Sequence, residues 1–366
     1  MDFIFEYAAF FLKTVTILIS VLIVIGFIAS AKNKNKHNSE GELVIKKLND
    51  DIEDYKQDFE VALFSEAELK ALDKQRKKED KEKEKKEKAA LKAKLKSKEK
   101  DANTESNTEI EPDKKRVFVL DFDGDIQASN TDFLRQEITA VLTTATEKDE
   151  VVIRLESPGG VVHGYGFAAS QLQRIRSRNI PLTICVDHVA ASGGYMMAVL
   201  ANKIIAAPFA VVGSIGVVAQ LPNFNKVLKK YDVDYELYTA GEYKRTVTMF
   251  GENTDKAKEK FQSDLEDTHV LFKNHINQFR PGLDIESVAN GDIWYGSQAI
   301  EKGLIDAVGT SDDYIIEACK DADVYSVQYE LKKTFKEKLG LAVQKGVESS
   351  FIKLSTMIQQ QQHRKG

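Results

Sequence analysis

The feature that most constrains the fold is an alternation of short apolar segments with helix-like segments between residues 116 and 279. Strands are predicted at 116–122, 151–157, 182–187, 203–208, 211–219 and 235–239, and helices at 131–144, 164–178, 192–201, 223–231 and 254–279. Such an alternation indicates βαβ units around a mostly parallel sheet that is covered by helices. We therefore predict an α/β globular domain over residues 114–329.

The N-terminal segment is the most apolar part of the chain, because residues 8–31 carry a single charge. A membrane-spanning helix needs about 20 consecutive apolar residues. The small residues at 29–31 also fit the cleavage site of a signal peptide, which is the alternative. Asp2 and Glu6 precede the apolar run without an early basic residue, and this favours a retained transmembrane anchor over residues 1–31.

The segment after the anchor is strongly charged. Residues 74–100 hold 14 basic and 6 acidic side chains, a net charge of +8, which leaves −13 for the rest of a chain whose net charge is −5. Such a run cannot bury a core, although its Glu/Lys pairs can support a solvated helix. We predict a charged spacer over residues 32–113, partly helical or disordered; contact of its basic residues with anionic lipid is the alternative.

Three further features limit the class of protein. Two cysteines, Cys185 and Cys319, exclude a disulfide-rich scaffold and a cysteine-rich zinc module, and the mild net acidity argues against nucleic-acid binding. Residues 189–210 are nearly uncharged, but their Gly, Asn and Pro residues indicate turns in a buried core rather than a second membrane span. Residues 330–366 have apolar residues at helical spacing and predict a C-terminal amphipathic helix.

Three glycine-rich turns follow predicted strands. Ser157-Pro158-Gly159-Gly160 can present backbone N–H groups to a developing oxyanion, because glycine leaves them unobstructed. Ser192, in Ala191-Ser192-Gly193-Gly194-Tyr195, would place its hydroxyl at a helix N-terminus, where negative charge is favoured. A simple N-cap is the commoner role for such a serine. Ser214, in the turn at 213–216, indicates packing when it is considered alone.

A serine nucleophile requires a base. His188 and Asp187 lie near Ser192 in sequence, but neighbouring residues of a strand point to opposite faces, which disfavours a Ser-His-Asp triad. His163 is interpreted as a surface residue. A lysine whose pKa is lowered by burial is the other candidate, and Lys244, after a predicted strand and a glycine, fits that role.

The ordered motifs resemble a known family. SPGG (157–160), ASGGY (191–195), GSIGV (213–217) and GEYKRT (241–246), together with TMFGENT (248–254), resemble the signal peptide peptidase A (protease IV) family of serine peptidases, in its membrane-anchored SohB-type branch. The resemblance covers essentially the whole chain. It implies a Clp protease/crotonase-like fold, a superhelix of repeated ββα units, within the α/β class.

The resemblance also implies roles for particular residues. Ser192 would be the nucleophile, Lys244 the general base and Ser214 the residue that orients the lysine. The backbone N–H groups of Gly160 and Gly193 would form the oxyanion hole, and no metal or cofactor would be required. The implied substrates are membrane-associated or signal-peptide-like peptides. The implied assembly is a homo-oligomer with active sites shared between chains, so that Ser192 and Lys244 of one chain lie beyond hydrogen-bonding reach.

Two other functions and the membrane orientation stay open at this point. A catalytically inactive membrane scaffold could use the same fold, and a crotonase-type acyl-CoA enzyme would share the oxyanion glycines. The expected location is the bacterial inner membrane, crossed once. Lys32, Lys34 and Lys36 follow the anchor and place the catalytic domain in the cytoplasm by the positive-inside rule, whereas the resemblance favours the opposite side.

Overall fold

The computed structural model describes Lys13, residues 41–78, 81, 82, 85 and 88, and residues 114–331. Apart from Lys13, the predicted anchor lies outside the described residues, and so does the predicted C-terminal helix after residue 331. No helix in the described ranges combines the length and the hydropathy that a membrane crossing requires. The described residues between 43 and 329 belong to one compact unit.

A seven-stranded sheet forms the centre of this unit. Its strands are β1 (Gly41–Lys47), β2 (Arg116–Asp123), β3 (Glu150–Glu156), β4 (Leu182–Val186), β6 (Lys203–Ala206), β9 (Ala307–Val308) and β10 (Asp323–Leu331). Their order in the sheet is β1-β10-β2-β3-β4-β6-β9, and the neighbouring strands from β10 to β9 are all parallel. The inner strands read as nearly continuous apolar runs because both faces of a parallel sheet are covered. The predicted α/β class is confirmed.

Helices cover both faces of the sheet. On one face, Phe118, Leu120 and Phe122 of β2 pack in a large buried cluster with α2 (Thr131–Val141) and α3 (Val162–Arg176). The same cluster includes α4 (Gly193–Ala198) and one side of α6 (Asp255–Phe279). The alternate residues of β2 face a smaller cluster that contains α9 (Ser311–Asp321). Short helices complete the connections: α5 (Asn225–Lys230), α7 (Ile285–Val288) and α8 (Gly296–Ala299).

A small second sheet lies next to the carboxyl ends of the central strands. It consists of β5 (Val189–Ala191), β7 (Val211–Gly213) and β8 (Ile293–Tyr295), with β5 and β7 parallel and β7 and β8 antiparallel. Residues 189–210 therefore fold as strands, a short buried helix and turns. The prediction that they do not span a membrane is confirmed.

The structure departs from the sequence-based expectations in three places. The predicted strand at 211–219 ends after Val211–Gly213, because Ser214 has a φ of 52° and leaves the extended conformation. The predicted strand at 235–239 is wrong: these residues form no strand, and Tyr235, Leu237 and Tyr238 are exposed. The segment has residues that favour strands, but it pairs with no neighbouring strand, and residue composition alone does not determine strand formation. Within the predicted spacer, β1 forms an edge of the sheet and α1 (Leu48–Leu63) follows it; Asn49 bonds to the backbone at Ala322 and Val324.

Candidate active site

The turn after β3 is held by hydrogen bonds that leave one backbone N–H free. The N–H of Gly159 donates to Ser157 Oγ at 3.1 Å, and the N–H of Val161 donates to the carbonyl of Ile126 at 2.9 Å. Between them, the N–H of Gly160 has no acceptor among the described residues. Only glycine fits at position 160, since a Cβ there would lie 2.1 Å from the carbonyl oxygen of Ile126. The turn therefore presents a single donor.

Ser192 occupies a strained turn between β5 and α4. Its φ of 52° and ψ of −116° lie in a backbone region that residues other than glycine rarely adopt. Such a conformation typically costs about 1–3 kcal/mol of folding free energy. Its hydroxyl makes no capping hydrogen bond, so the N-cap interpretation does not account for this serine. The next residue, Gly193, begins α4, and its N–H has no acceptor within the described ranges. Ser192 thus offers a free hydroxyl beside a free donor.

The two turns are packed directly against each other. The N–H of Ser157 donates to Val189 at 2.8 Å and the N–H of Ala191 donates to Ser157 at 3.0 Å, so β5 is joined to the end of β3. A Cβ added to Gly159 would lie 2.7 Å from Cβ of Ser192 and 2.8 Å from the nitrogen of Gly193. The free N–H groups of both turns therefore belong to one local site with the Ser192 hydroxyl.

A largely apolar pocket opens at this site. It has a volume of about 270 Å³, and Gly160, Ser192 and Gly193 form part of its wall. Its other lining residues come from α3, α4, the segment after Ser214, and α6; they include Val162, Met196, Val217, Leu271 and Phe272. Apolar walls with a few converging polar groups are typical of a site that binds one side chain of a ligand.

His275 is a pocket residue that the sequence analysis did not identify. Its Nε2 lies 2.9 Å from the carbonyl oxygen of Met196, to which it donates, and burial lowers the pKa of its imidazole. The imidazole is therefore neutral near pH 7. The sequence does contain a signal: Phe272 is three residues earlier on α6 and is buried, which puts His275 on the same helix face.

The structure brings Ser214 next to Ser192. Strands β5 and β7 are paired with Ala191 opposite Gly213, so the two serines are the next pair in register. Ser214 also has a φ of 52°, and its N–H donates to the carbonyl of Asp292 at 2.6 Å. Neighbouring strands lie roughly 5 Å apart, so both serines lie where two adjacent strands of the small sheet end.

Lys244 is not brought into this site by the described part of the chain. It lies on an exposed turn, closed by a bond from its N–H to Gly241 at 3.2 Å and tied to α6 by the pair Glu242–Lys256 at 2.8 Å. Its ammonium group makes no hydrogen bond or ion pair with any described residue, and Lys244 does not line the pocket. Any burial of this amine therefore has to come from outside the described residues of a single chain.

The groups considered for a Ser-His-Asp triad are engaged elsewhere. The carboxylate of Asp187 accepts the N–H and the hydroxyl of Ser311, at 2.8 Å and 2.5 Å, where α9 begins. His188 is exposed and its Nδ1 lies 2.9 Å from a carboxylate oxygen of Glu156. His163 is exposed as well. None of these residues is hydrogen-bonded to Ser192, which agrees with the expectation against a triad.

The site resembles the arrangement used by enzymes of the serine hydrolase class. It combines a free serine hydroxyl on a strained turn with two unengaged N–H groups and an apolar pocket. Residues 2–172 match the description "Peptidase family S49 N-terminal", and residues 174–325 match "Peptidase family S49". The chain belongs to peptidase family S49, and the family resemblance drawn from the sequence motifs is confirmed.

Its relatives cover most of the chain. "Probable protease SohB" of Haemophilus influenzae is 51% identical over 340 residues, which span 93% of this chain and 92% of that protein. "Probable protease SohB" of Buchnera aphidicola subsp. Schlechtendalia chinensis is 49% identical over 319 residues, 86% of this chain and 99% of that one. A solved structure, the 1510-N membrane-bound stomatin-specific protease with a substrate peptide, aligns with 63% of this chain and 99% of its own at 18% identity and a TM-score of 0.39.

Proposed function

We propose that this chain is a membrane-anchored serine endopeptidase in which Ser192 is the nucleophile and Lys244 is the general base. The observation that carries the proposal is the conformation of Ser192: a strained backbone holds an unengaged hydroxyl beside the free N–H groups of Gly160 and Gly193. Strain of this kind persists only where the surrounding structure enforces it, and it is concentrated at functional sites. Membership of a peptidase family supplies the reaction class.

The proposed mechanism conserves protons and bonds at each step. The neutral amine of Lys244 takes the proton of the Ser192 hydroxyl while Ser192 Oγ attacks a peptide carbonyl. The N–H groups of Gly160 and Gly193 stabilise the resulting oxyanion. The C–N bond then breaks, and the proton passes from Lys244 to the leaving amine. Water hydrolyses the acyl-enzyme by the same route. Ser214, next to Ser192 in the sheet, is proposed to orient the lysine amine.

The exposed position of Lys244 supports a site that is shared between chains. The segment that leads to it carries large apolar side chains in water: the exposed fraction is 45% for Leu237, 85% for Tyr238 and 53% for Tyr243. Several exposed apolar side chains within one short segment are consistent with a protein interface. In the proposed homo-oligomer, a second copy covers this segment, removes water from Lys244 and brings it to the Ser192 of its neighbour.

The order of elements supports the proposed Clp protease/crotonase-like fold. β4, β5 and α4 form one ββα unit in which the first strand joins the large sheet and the second joins the small one. β6 and β7 repeat this division between the two sheets before the chain reaches α6. The end of β3 bridges to Ala190 before α3 begins. A recurring strand, short strand and helix is the repeat that such a superhelix requires.

The apolar pocket beside Ser192 supports substrates with apolar side chains, as membrane-associated or signal-peptide-like peptides have. The proposed anchor, residues 8–31, would hold the enzyme in the bacterial inner membrane, near such substrates. The remaining element of the proposed location is the side of the membrane on which the catalytic domain lies. A reporter fused to the C-terminus determines it, since the reporter is active on one side only.

A covalent probe tests the proposed function on the full-length chain. We expect a fluorophosphonate to add one adduct, mapped by mass spectrometry to Ser192, and we expect peptide turnover to disappear in Ser192→Ala. Ser177→Ala is the matched control, because that exposed hydroxyl only bonds to Gln173 at the end of α3. A parent chain without adduct or peptide turnover would favour the inactive scaffold. Turnover of an acyl-CoA thioester instead of peptides would favour the crotonase-type enzyme.

A further inference from the structure

One buried side chain, Tyr165 on α3, contacts both turns that supply the free N–H groups. Its side chain is fully buried, and its ring lies against Gly193, where an added Cβ would be 2.3 Å from Cγ of the tyrosine. Its hydroxyl lies 2.5 Å from Ser157 Oγ, at the start of the other turn. Tyr165 therefore spans the space between the Gly193 end and the Gly160 end of the site.

The hydrogen bonds around Tyr165 have a defined direction. Its hydroxyl donates to the carbonyl of Asp125 at 2.8 Å, so its proton is not available to Ser157. The fully buried Ser157 hydroxyl consequently donates to Tyr165, and a lone pair of Ser157 Oγ accepts the N–H of Gly159 at 3.1 Å. Buried hydroxyls of this kind fix a conformation because each donor has one available acceptor.

This chain of bonds determines which N–H of the turn is free. The N–H of Gly159 is bonded to Ser157 Oγ. The N–H of Val161 is bonded to the carbonyl of Ile126, which lies next to Asp125 in the same loop. The N–H of Gly160 is the one left between them. If the Gly159 peptide lost its acceptor, the φ of 88° at Gly159 would no longer be held and the neighbouring peptide could rotate.

We propose that Tyr165 and Ser157 are positioning residues of the oxyanion hole: together they hold the N–H groups of Gly160 and Gly193 at a fixed separation around the developing charge. Neither acts on the substrate carbonyl itself. The inference rests on the proposed function, since it assumes that these N–H groups bind an oxyanion. It deepens that function by assigning a task to two buried hydroxyls that a serine–lysine mechanism does not otherwise use.

Two substitutions test the proposal on the full-length chain. Tyr165→Phe keeps the ring against Gly193 and removes the hydroxyl, and Ser157→Ala removes its partner. We expect each to lower kcat by about 10- to 100-fold with KM changed less than about threefold, because a displaced oxyanion donor acts on the transition state. We expect the double variant to be no slower than the slower single variant, because both hydroxyls serve one bond chain.

A second readout separates positioning from simple stability. A peptide aldehyde, whose hemiacetal places an oxyanion in the hole, should bind 10- to 100-fold more weakly to both variants, in parallel with kcat. A product peptide should bind as it does to the parent. Tyr314→Phe is the matched control: its half-buried hydroxyl bonds to Glu150 on the other face of the sheet, so its loss should lower thermal stability and leave kcat unchanged.

The outcomes distinguish the inference from the proposed function. Unchanged kcat and aldehyde affinity in both variants, with the parent active and labelled at Ser192, would overturn the inference and leave the function standing. Equal losses of kcat in the Tyr314→Phe control would also overturn it, because stability would then explain the effect. A parent chain that neither cleaves peptides nor forms the Ser192 adduct would overturn both. If one variant does not fold, the other still decides between these outcomes.

Discussion

The N–H of Ser192 donates to the carbonyl of Gly213 at 2.8 Å, and this bond continues the parallel pairing of β5 with β7 up to the two serines that follow them. Ser192 and Ser214 leave the small sheet side by side, and both have a φ of 52°. Because this region of φ favours glycine, two neighbouring serines are held in it against their intrinsic preference. We therefore expect their hydroxyls, rather than their backbones, to account for serine at these positions.

The strain at Ser192 predicts a difference between two inactive variants. Ser192→Gly should be more stable than Ser192→Ala by about 1 kcal/mol, because glycine adopts a positive φ without penalty. Both variants lack the hydroxyl, so urea unfolding of the two chains isolates the backbone effect. Ser170, inside α3, is the control. There the order reverses, with Gly less stable than Ala by up to about 1 kcal/mol. The same order at both positions would contradict strain at Ser192.

Ser214 is expected to act in catalysis without being the nucleophile. Ser214→Ala should keep the turn, because the backbone bond to Asp292 remains, and should lower kcat by about tenfold through loss of a hydrogen bond to the lysine amine. The adduct at Ser192 should still form, more slowly. Steady-state kinetics together with the labelling rate measure both effects. A kcat equal to that of the parent would leave Ser214 with a role in the turn alone.

Much of the α/β fold could be predicted from the sequence, and the reason is local. β2, β3 and β4 are runs of buried apolar residues bounded by turn residues, and α2, α3 and α6 carry apolar residues at helical spacing. The wrongly predicted strand at 235–239 also consists mainly of residues that favour strands. What it lacks is a partner, and pairing depends on the fold as a whole.

The residues of the candidate site fall into the same two groups: some are visible as local sequence patterns, and others are brought together only by the fold. Ser192, Gly160 and Gly193 stand in glycine-rich turns that are visible in the sequence. The adjacency of Ser192 and Ser214 follows from the register of β5 with β7, which residue spacing does not specify. The contacts of Tyr165 with both turns likewise depend on how α3 packs against α4. Lys244 follows a predicted strand and a glycine, but an exposed lysine on a turn has no distinguishing local pattern, and the family resemblance is what implies its role as the base.

A buried carboxyl on α2 predicts an unusual dependence of stability on pH. Glu137 accepts the N–H of Tyr329, its other oxygen is buried without a partner, and burial raises its pKa from 4.5 to about 7, with a smaller contribution from Asp121. The folded state therefore binds this proton more tightly than the unfolded state does. Its contribution to stability is complete below about pH 4.5 and is lost as the pH rises through 7.

Glu137→Gln removes the titrating charge and keeps an acceptor for the N–H of Tyr329. The variant should gain stability over the parent as the pH rises from 5 to 8.5, by up to about 3 kcal/mol at the upper end. Urea unfolding at several pH values measures the difference. Glu317→Gln, on the exposed side of α9, is the control and should show no such trend. A Glu137→Gln advantage that is constant with pH would contradict the raised pKa.

Two glycines of the site should respond in opposite ways to alanine. At Gly159 the φ is 88° and a Cβ would lie 2.7 Å from both the carbonyl oxygen of Ala191 and Cβ of Ser192. Gly159→Ala should therefore cost about 2 kcal/mol or more and at least 100-fold in kcat. At Gly166, inside α3, no atom lies within 4 Å of the added Cβ. Gly166→Ala should stabilise by up to about 1 kcal/mol.

Thermal unfolding and peptide turnover of the two variants measure these effects. Since Gly166 lines the pocket, its alanine variant should retain kcat and raise KM for substrates with large apolar side chains. A fully active Gly159→Ala chain would show that the turn does not shape the site.

Sharing of one active site between two chains predicts recovery of activity from two inactive variants. Ser192→Ala keeps Lys244, and Lys244→Met keeps Ser192, so each chain alone should be inactive. In a closed ring assembled from equal amounts of both, about a quarter of the interfaces would join an intact Ser192 to an intact Lys244. Co-expressed chains should therefore regain about a quarter of the parent's turnover, whereas chains purified separately and kept as preformed assemblies should not. If the co-assembled chains remained inactive while light scattering showed that they assemble together, Lys244 would have to act on the Ser192 of its own chain, and the shared site would be excluded.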